Sequence, residues 1–95
     1  MIERHITFNV LQDKGEAFER FFVDQYAPAM AQAPGFVRVE LLREMDQPLQ
    51  FQMVLRWADG DAAAGWRTSP VHGALQPALG ELHSGMSIVA YDVVA

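Results

Sequence analysis

The amino-acid sequence predicts an α+β fold in which four strands and two helical regions follow the order β-α-β-β-α-β. Three observations support this prediction. The first strand alternates apolar and polar residues, a turn-rich segment separates two strand-like runs in mid-chain, and serine or aspartate precedes the helical stretches. A chain of 95 residues is long enough for one core, so we expect residues 1–95 to form a single domain.

The first strand and the helix after it are predicted from two different periods. Residues 6–10 alternate apolar and polar side chains, as expected where only one strand face meets the core. Asp13 is placed to cap the following helix, with Glu16 three residues on in a capping-box relation. Because Pro28 lies within the helical stripe, we expect a kink there or a second short turn.

The remaining strands follow from apolar runs that are bounded by turn residues. Phe36 to Met45 and Leu49 to Trp57 are predicted to form a hairpin, joined by the turn-forming residues 46–48. Met86 to Val94 is predicted to be the last strand.

Two helices are predicted between the hairpin and the last strand. Asp59 caps a short alanine-rich helix that ends at Arg67, whose charge is suited to the negative end of the helix dipole. Ser69 caps another helix, with Pro70 at its first position. His72 then falls in the first turn of that helix.

Composition and charge exclude several classes of function. The net charge of −5 without a basic cluster would repel a phosphate backbone or an anionic membrane, so neither nucleic acid nor membrane is an expected partner. The chain has no cysteine, and its three histidines lack the spacing of metal ligands, so no metal site is predicted. With no signal-like segment or membrane-length apolar run, the expected location is the cytoplasm.

Strand parity divides the predicted sheet into two unlike faces. The side expected to pack against the helices collects apolar residues: Ile6, Phe8, Val10, Val37, Val39, Leu41, Phe51, Met53, Leu55, Trp57, Val89, Tyr91 and Val93. The opposite side mixes charged, amide and aliphatic residues, among them His5, Thr7, Asn9, Arg38, Glu40, Gln50, Gln52, Arg56 and Asp92. Antiparallel sheets commonly leave such a face in water. The alternative is that two copies pack these faces together, which predicts a homodimer.

A series of short motifs runs in order along nearly the whole chain: His5-Ile6-Thr7-Phe8, Pro34-Gly35-Phe36, Trp57-Ala58-Asp59, Gly65-Trp66, Ser69-Pro70-Val71-His72 and Tyr91-Asp92-Val93-Val94. In order and spacing they resemble the antibiotic biosynthesis monooxygenase (ABM) family. The resemblance implies a ferredoxin-like α+β domain that dimerises through its sheet into a barrel. It also implies a pocket in each subunit between the sheet and the helices.

The resemblance further implies an oxygenase of phenolic, quinol or anthrone-type compounds that requires no flavin or metal cofactor. The substrate anion itself passes an electron to O₂, so the site needs an aromatic slot, a base and a donor for the anion. His72 is the candidate base, and Trp66 is the candidate for stacking on the substrate or donating its N–H. The other residues expected to line the pocket are Phe8, Phe22, Tyr26, Met53 and Tyr91.

Each of these residues also has a purely structural explanation. His72 is equally suited to a half-exposed first helical turn, and Trp66 to the core of an alanine-rich helix. Tyr26 and Tyr91 are explained as core-edge residues whose hydroxyl groups reach water. The competing function is therefore a non-catalytic, small-molecule-binding or stress-associated dimeric domain. The sequence alone does not decide whether the chain is an enzyme.

Haem degradation, another activity of the resembling family, fits the sequence poorly. Those relatives use an asparagine on the first strand, a tryptophan and a downstream histidine. Trp66 matches the tryptophan, but Phe8 falls at the asparagine position, and Asn9 points to the opposite sheet face. Gln76 falls at the position of the histidine, one helical turn beyond His72. The sequence therefore predicts poor haem binding.

Overall fold

The computed structural model describes residues 1–95 and has the predicted order of strands and helices. The strands are β1 (Ile2–Val10), β2 (Phe36–Arg43), β3 (Gln50–Trp57) and β4 (His83–Asp92). The helices are α1 (Gly15–Phe21), a π-helical segment (Phe22–Tyr26), α2 (Ala27–Met30), α3 (Gly60–Arg67) and α4 (Pro70–Gly80). None of these helices has the length and hydrophobicity that crossing a membrane requires.

The four strands form one antiparallel sheet in the order β2-β3-β1-β4. β1 lies in the interior of the sheet and pairs along its length with β3 on one side and β4 on the other. β4 is an edge strand. With the helices on one face, this topology confirms the predicted ferredoxin-like α+β fold class.

The hydrophobic core lies between the helices and one face of the sheet. Phe18 of α1 packs against Phe8 and Phe51, with ring centroids 5.2 and 5.1 Å away respectively. Aromatic pairs at such distances contribute beyond the area that they bury. The side chains that are almost completely buried are Trp57, Phe8, Phe18, Phe51, Met30, Met53 and Leu55.

Two predicted helix caps are confirmed, and a third is wrong. Asp59 accepts a hydrogen bond from the Ala62 backbone N–H at 2.8 Å, and Ser69 accepts one from His72 N–H at 3.1 Å. Asp13 caps nothing: α1 begins after Lys14 without a side-chain cap, and Asp13 takes φ 67°, a left-handed conformation. Aspartate tolerates that conformation in turns, so this residue ends the loop and does not start the helix.

The helical turn immediately before Pro28 contains one extra residue. In the π-helical segment the Ala27 N–H donates to the carbonyl of Phe22, five residues back. Proline has no N–H to donate to the carbonyl of Asp24 and cannot sit in a regular α-turn at that point. The wider turn accommodates it, and the short α2 that follows is the second of the two forms expected from the sequence.

The predicted parity of β4 is wrong. Val89 and Tyr91 lie on the face opposite the helices, where Tyr91 pairs with Glu3, and both side chains are about half exposed. Met86 and Ile88 take the helix-facing positions instead. Apolar residues occupy both parities of this edge strand, so alternation along the sequence does not distinguish its two faces.

Val37 and Val93 were also expected to face the helices. Phe36 pairs with Trp57 and Arg38 pairs with Arg56, so Val37 is an extra residue in a β-bulge and is 41% exposed. A bulge inserts one residue and shifts the alternation beyond it. Val93 lies past the end of β4.

The sheet face opposite the helices, hereafter the open face, has a charged network centred on Glu3. Arg56 donates to Glu3 Oε1 from Nε at 2.9 Å and from Nη2 at 2.6 Å, while His5 Nε2 lies 2.8 Å from Glu3 Oε2. Arg38 also contacts Glu3, at 3.4 Å, and pairs with Glu40. Hydrogen bonding to His5 and then to Arg56 lowers the pKa of Glu3 from 4.5 to about 2.

Candidate functional site

A cavity of about 160 Å³ lies between the helix-facing side of the sheet and the helices. Side chains from β1, β3, β4, the π-helical segment, the α3–α4 corner and α4 line it: Arg4, Ile6, Phe8, Tyr26, Leu55, Trp66, Arg67, His72, Gln76, Leu79, Met86 and Ile88. Most of the lining is apolar. The polar groups come from few positions, which is the usual composition of a small-molecule site.

Trp66 forms one wall of the cavity and is held by other aromatic rings. It is 3% exposed, and its ring stacks on Trp57 with centroids 6.2 Å apart. Tyr26 approaches Trp66 edge to face at 5.9 Å. Asp59 sets the start of α3 and thereby the position of Trp66 in its last turn. Trp66 therefore belongs to the core and to the cavity at once.

His72 reaches the cavity from the first turn of α4. The Ser69 cap and Pro70 start this helix, and the His72 ring meets Trp66 edge to face with centroids 5.3 Å apart. Gln76, one turn further on, places its Nε2 3.3 Å from His72 Nε2 and 3.2 Å from the His72 carbonyl oxygen. With the Gln76 amide donating to both atoms, the ring nitrogen Nε2 of His72 acts as the acceptor.

Two arginines set the electrostatics of the cavity. Burial lowers the pKa of His72 below 6.5, and the positive charges of Arg4 and Arg67 lower it further. The imidazole is therefore neutral at neutral pH and able to accept a proton. Burial raises the pKa of Tyr26, against the opposing effects of Gln76, Trp66 and Arg4. Tyr26 therefore remains a hydroxyl donor at neutral pH.

Four of the seven residues predicted for the site lie together. Phe8, Tyr26, Trp66 and His72 all line the cavity. The other three do not. Phe22 and Met53 are buried in the core beside it, and Tyr91 lies on the open face, where its ring stands 4.8 Å from that of His5.

The lining residues that were missed as site residues include Arg4, Arg67, Gln76 and those of β4. Arg4 sits at a helix-facing position of β1, in phase with Ile6 and Phe8. A charged residue on the apolar side of a strand was the signal that could have identified it. The β4 residues were missed because the parity of that strand was assigned wrongly.

The described side chains include no cluster of three or more His, Asp or Glu residues that would hold a metal ion. The cavity instead combines an aromatic wall, a neutral imidazole, a buried phenol and two guanidinium groups. Such a set can bind a planar ring, accept one proton and stabilise negative charge.

The sequence model of the family described as antibiotic biosynthesis monooxygenase matches residues 1–78 of the chain. The chain belongs to this family. The match runs from β1 through most of α4, so Trp66 and His72 both lie within the matched residues. A search of curated protein sequences finds no match.

Solved structures share the ABM fold over nearly the whole chain. SnoaB from Streptomyces nogalater, a cofactor-independent oxygenase, is 26% identical with a TM-score of 0.88, covering 99% of this chain and 93% of its own. A protein from Deinococcus radiodurans that carries the ABM name is 21% identical with a TM-score of 0.88, covering 100% and 94%. Membership of the ABM family and the likeness to SnoaB support a monooxygenase-type function.

Proposed function

We propose that this protein is a cofactor-independent monooxygenase that oxidises small phenolic, quinol or anthrone-type compounds with O₂. One observation carries the proposal: the edge-to-face pair of Trp66 and His72 lies in a largely apolar cavity between sheet and helices. A planar ring has an aromatic wall to stack on there, and its acidic proton has a neutral imidazole as acceptor.

The chemistry needs only the substrate, O₂ and a base. At the activated carbon of an anthrone, His72 takes one proton, and the resulting anion gives an electron to O₂. Recombination at that carbon forms a C–O bond, and return of the proton from His72 to the terminal oxygen gives a hydroperoxide. Loss of water then leaves a carbonyl, so one oxygen atom enters the product and the other leaves as water. Tyr26, whose raised pKa keeps its proton, is a donor for the substrate anion.

The size of the cavity favours small substrates within this class. Its volume of about 160 Å³ lies below the roughly 300 Å³ at which ordinary ligand pockets begin. The wall that β4 forms is open, because Met86 and Ile88 are 49% and 41% exposed. A substrate larger than the enclosed volume, such as a tricyclic anthrone, would extend across that edge.

We further propose that two copies pair through their open faces. The apolar residues Leu42, Val89 and Tyr91 are 47%, 51% and 48% exposed on or beside this face. The Glu3 network supplies polar groups that are already paired within one chain, which lowers the penalty for covering them. Sedimentation at micromolar concentration tests this, and a monomer of 10.6 kDa would refute it.

One observation favours the second candidate function, a binding domain without catalysis. The acceptor nitrogen of His72 is occupied by Gln76 from its own helix, so a base role requires Gln76 to release it. A non-catalytic pocket has no such requirement.

Oxygen uptake separates the two functions. Protein stripped of metal and flavin is expected to consume O₂ with members of a quinol and anthrone panel, and His72→Ala to consume far less. Uptake in neither protein across the whole panel would overturn the monooxygenase and favour the binding domain.

A further inference from the structure

Two arginines at the cavity differ from every other arginine of the chain. Arg4 and Arg67 form no ion pair and no side-chain hydrogen bond, although both line the cavity. All the others pair with glutamates: Arg20 with Glu16, Arg38 with Glu40, Arg43 with Glu19 and Arg56 with Glu3. In a chain with net charge −5, carboxylates are in excess, yet none lines this cavity.

The two unpaired arginines place like charges at the same cavity. Arg4 is half-buried whereas Arg67 is exposed, and the pKa of Arg4 is lowered first by burial and then by repulsion from Arg67. A partly desolvated guanidinium with a like charge beside it is unfavourable without a counter-ion. A bound anion would relieve this repulsion, so the arrangement is suited to a ligand and not to the empty protein.

The rest of the lining restricts what that anion is attached to. Phe8, Leu55 and Trp66 present apolar surface, so the ligand needs a flat apolar body beside its charge. Guanidinium groups bind carboxylates through two parallel hydrogen bonds, a geometry that a carboxylate on a ring can meet.

Proton transfer to His72 also favours a ligand that carries a negative charge. A protonated imidazole would become a third cation facing Arg4 and Arg67. A fixed negative charge on the substrate offsets that cluster at the moment when the base takes its proton.

We infer that the substrate of this site, if the proposed monooxygenase function holds, is an aromatic acid: a phenolic or quinol ring with a carboxylate held by Arg4 and Arg67. The anion is thus a permanent group of the substrate. It is distinct from the phenolate or enolate that forms during the reaction.

Binding of a matched pair of inert probes tests the inference without any turnover. By calorimetry, 2-naphthoate is expected to bind about 10- to 100-fold more tightly than 2-naphthamide, as charge-assisted hydrogen bonds are stronger than neutral ones. Arg4→Gln and Arg67→Gln should each remove most of this preference. Arg20→Gln, an exposed residue of α1, is the matched control and should retain it.

A salt titration of the unmodified protein gives a second measurement that does not depend on a variant's folding. Binding of 2-naphthoate should weaken as salt rises, while binding of the amide should not. Equal affinities for acid and amide, a preference that survives in both arginine variants, or no binding of either probe at its solubility limit would overturn the inference.

Oxygen uptake with 2,5-dihydroxybenzoate and 2,5-dihydroxybenzamide keeps the two proposals distinguishable. Preference for the naphthoate without uptake from any quinol would support the anion site and overturn the monooxygenase. Uptake from uncharged quinols without preference for the acid would support the monooxygenase and overturn the anion site. Uptake that favours the dihydroxybenzoate and loses that preference in Arg67→Gln would support both.

Discussion

The rings of Trp66 and His72 meet edge to face with their centroids 5.3 Å apart, and Ser69 is the residue that brings them together. Its hydroxyl donates to the Trp66 carbonyl at 2.8 Å and its oxygen accepts the His72 N–H at 3.1 Å. The end of α3 and the start of α4 are therefore joined through one side chain. The candidate base and the aromatic wall are held at this corner as one unit.

Replacing His72 with alanine is expected to lower turnover by about 10²- to 10⁴-fold, because proton abstraction loses its base. The Ser69 cap uses the backbone of residue 72, so the melting temperature should change little. Oxygen uptake and thermal melts measure the two effects. His5→Gln on the open face is the control, and full activity of His72→Ala would move the base role to solvent.

Replacing Trp66 with phenylalanine is expected to lower both turnover and stability, since the indole is buried and lines the cavity. The smaller ring leaves space in the core, at a cost of about 1–3 kcal/mol in the free energy of unfolding. Trp57→Phe is the matched control, because Trp57 is equally buried but does not line the cavity. Equal losses of turnover in the two folded variants would contradict a role of Trp66 in the site.

Replacing Glu3 with glutamine is expected to change how stability depends on pH. The pKa of Glu3 is lowered from 4.5 to about 2, so its contribution is complete above 4.5 and is lost as pH falls toward 2. Thermal melts across that window should show a steeper loss in the unmodified protein than in Glu3→Gln. Parallel curves would mean that the network around Glu3 does not stabilise the fold.

Reversing the charge of Arg56 is expected to weaken the proposed dimer strongly. Arg56→Glu removes the partner of Glu3 and places two carboxylates together on the open face. Leaving a charge unpaired in a covered interface costs about 3–5 kcal/mol. Sedimentation over a concentration series measures the shift, with Arg20→Glu on α1 as control. An unchanged dimer would place the interface elsewhere.

Haem is expected to bind weakly and to remain intact under reductant. Phe8 and Gln76, which we predict to occupy the asparagine and histidine positions of haem-degrading relatives, both line the cavity and offer no imidazole at those positions. Absorption spectra during haem titration check this. A stoichiometric complex with an imidazole-ligated spectrum would contradict it, and loss of that spectrum in His72→Ala would identify the ligand.

The order of the elements and the starts of α3 and α4 were predictable because they depend on local signals. Asp59 and Ser69 cap helices through hydrogen bonds that span only three residues. The faces of β4 were not predictable in this way. Which side of an edge strand meets the helices depends on its register with β1, and apolar residues at both parities leave that choice to the tertiary pairing.

The residues of the site also differ in whether local sequence signals could predict them. Trp66 and His72 were predicted from family motifs that lie close together in the sequence, and the structure brings them to one cavity. Arg4 and Arg67 are more than sixty positions apart in the sequence. Their convergence depends on how α3 packs on the sheet, so no local pattern contains it.

The π-helical segment before Pro28 makes the wall of the cavity sensitive to the number of residues as well as to their identity. Successive residues of an α-helix point about 100° apart, because 3.6 of them complete a turn. Removing one residue from Phe22–Tyr26 would therefore rotate Tyr26 away from Trp66 and bring a neighbour into its place. Relatives that differ by a single insertion or deletion here would present a different side chain to the ligand, so specificity in this fold can diverge by changes in loop and helix length without any substitution inside the cavity.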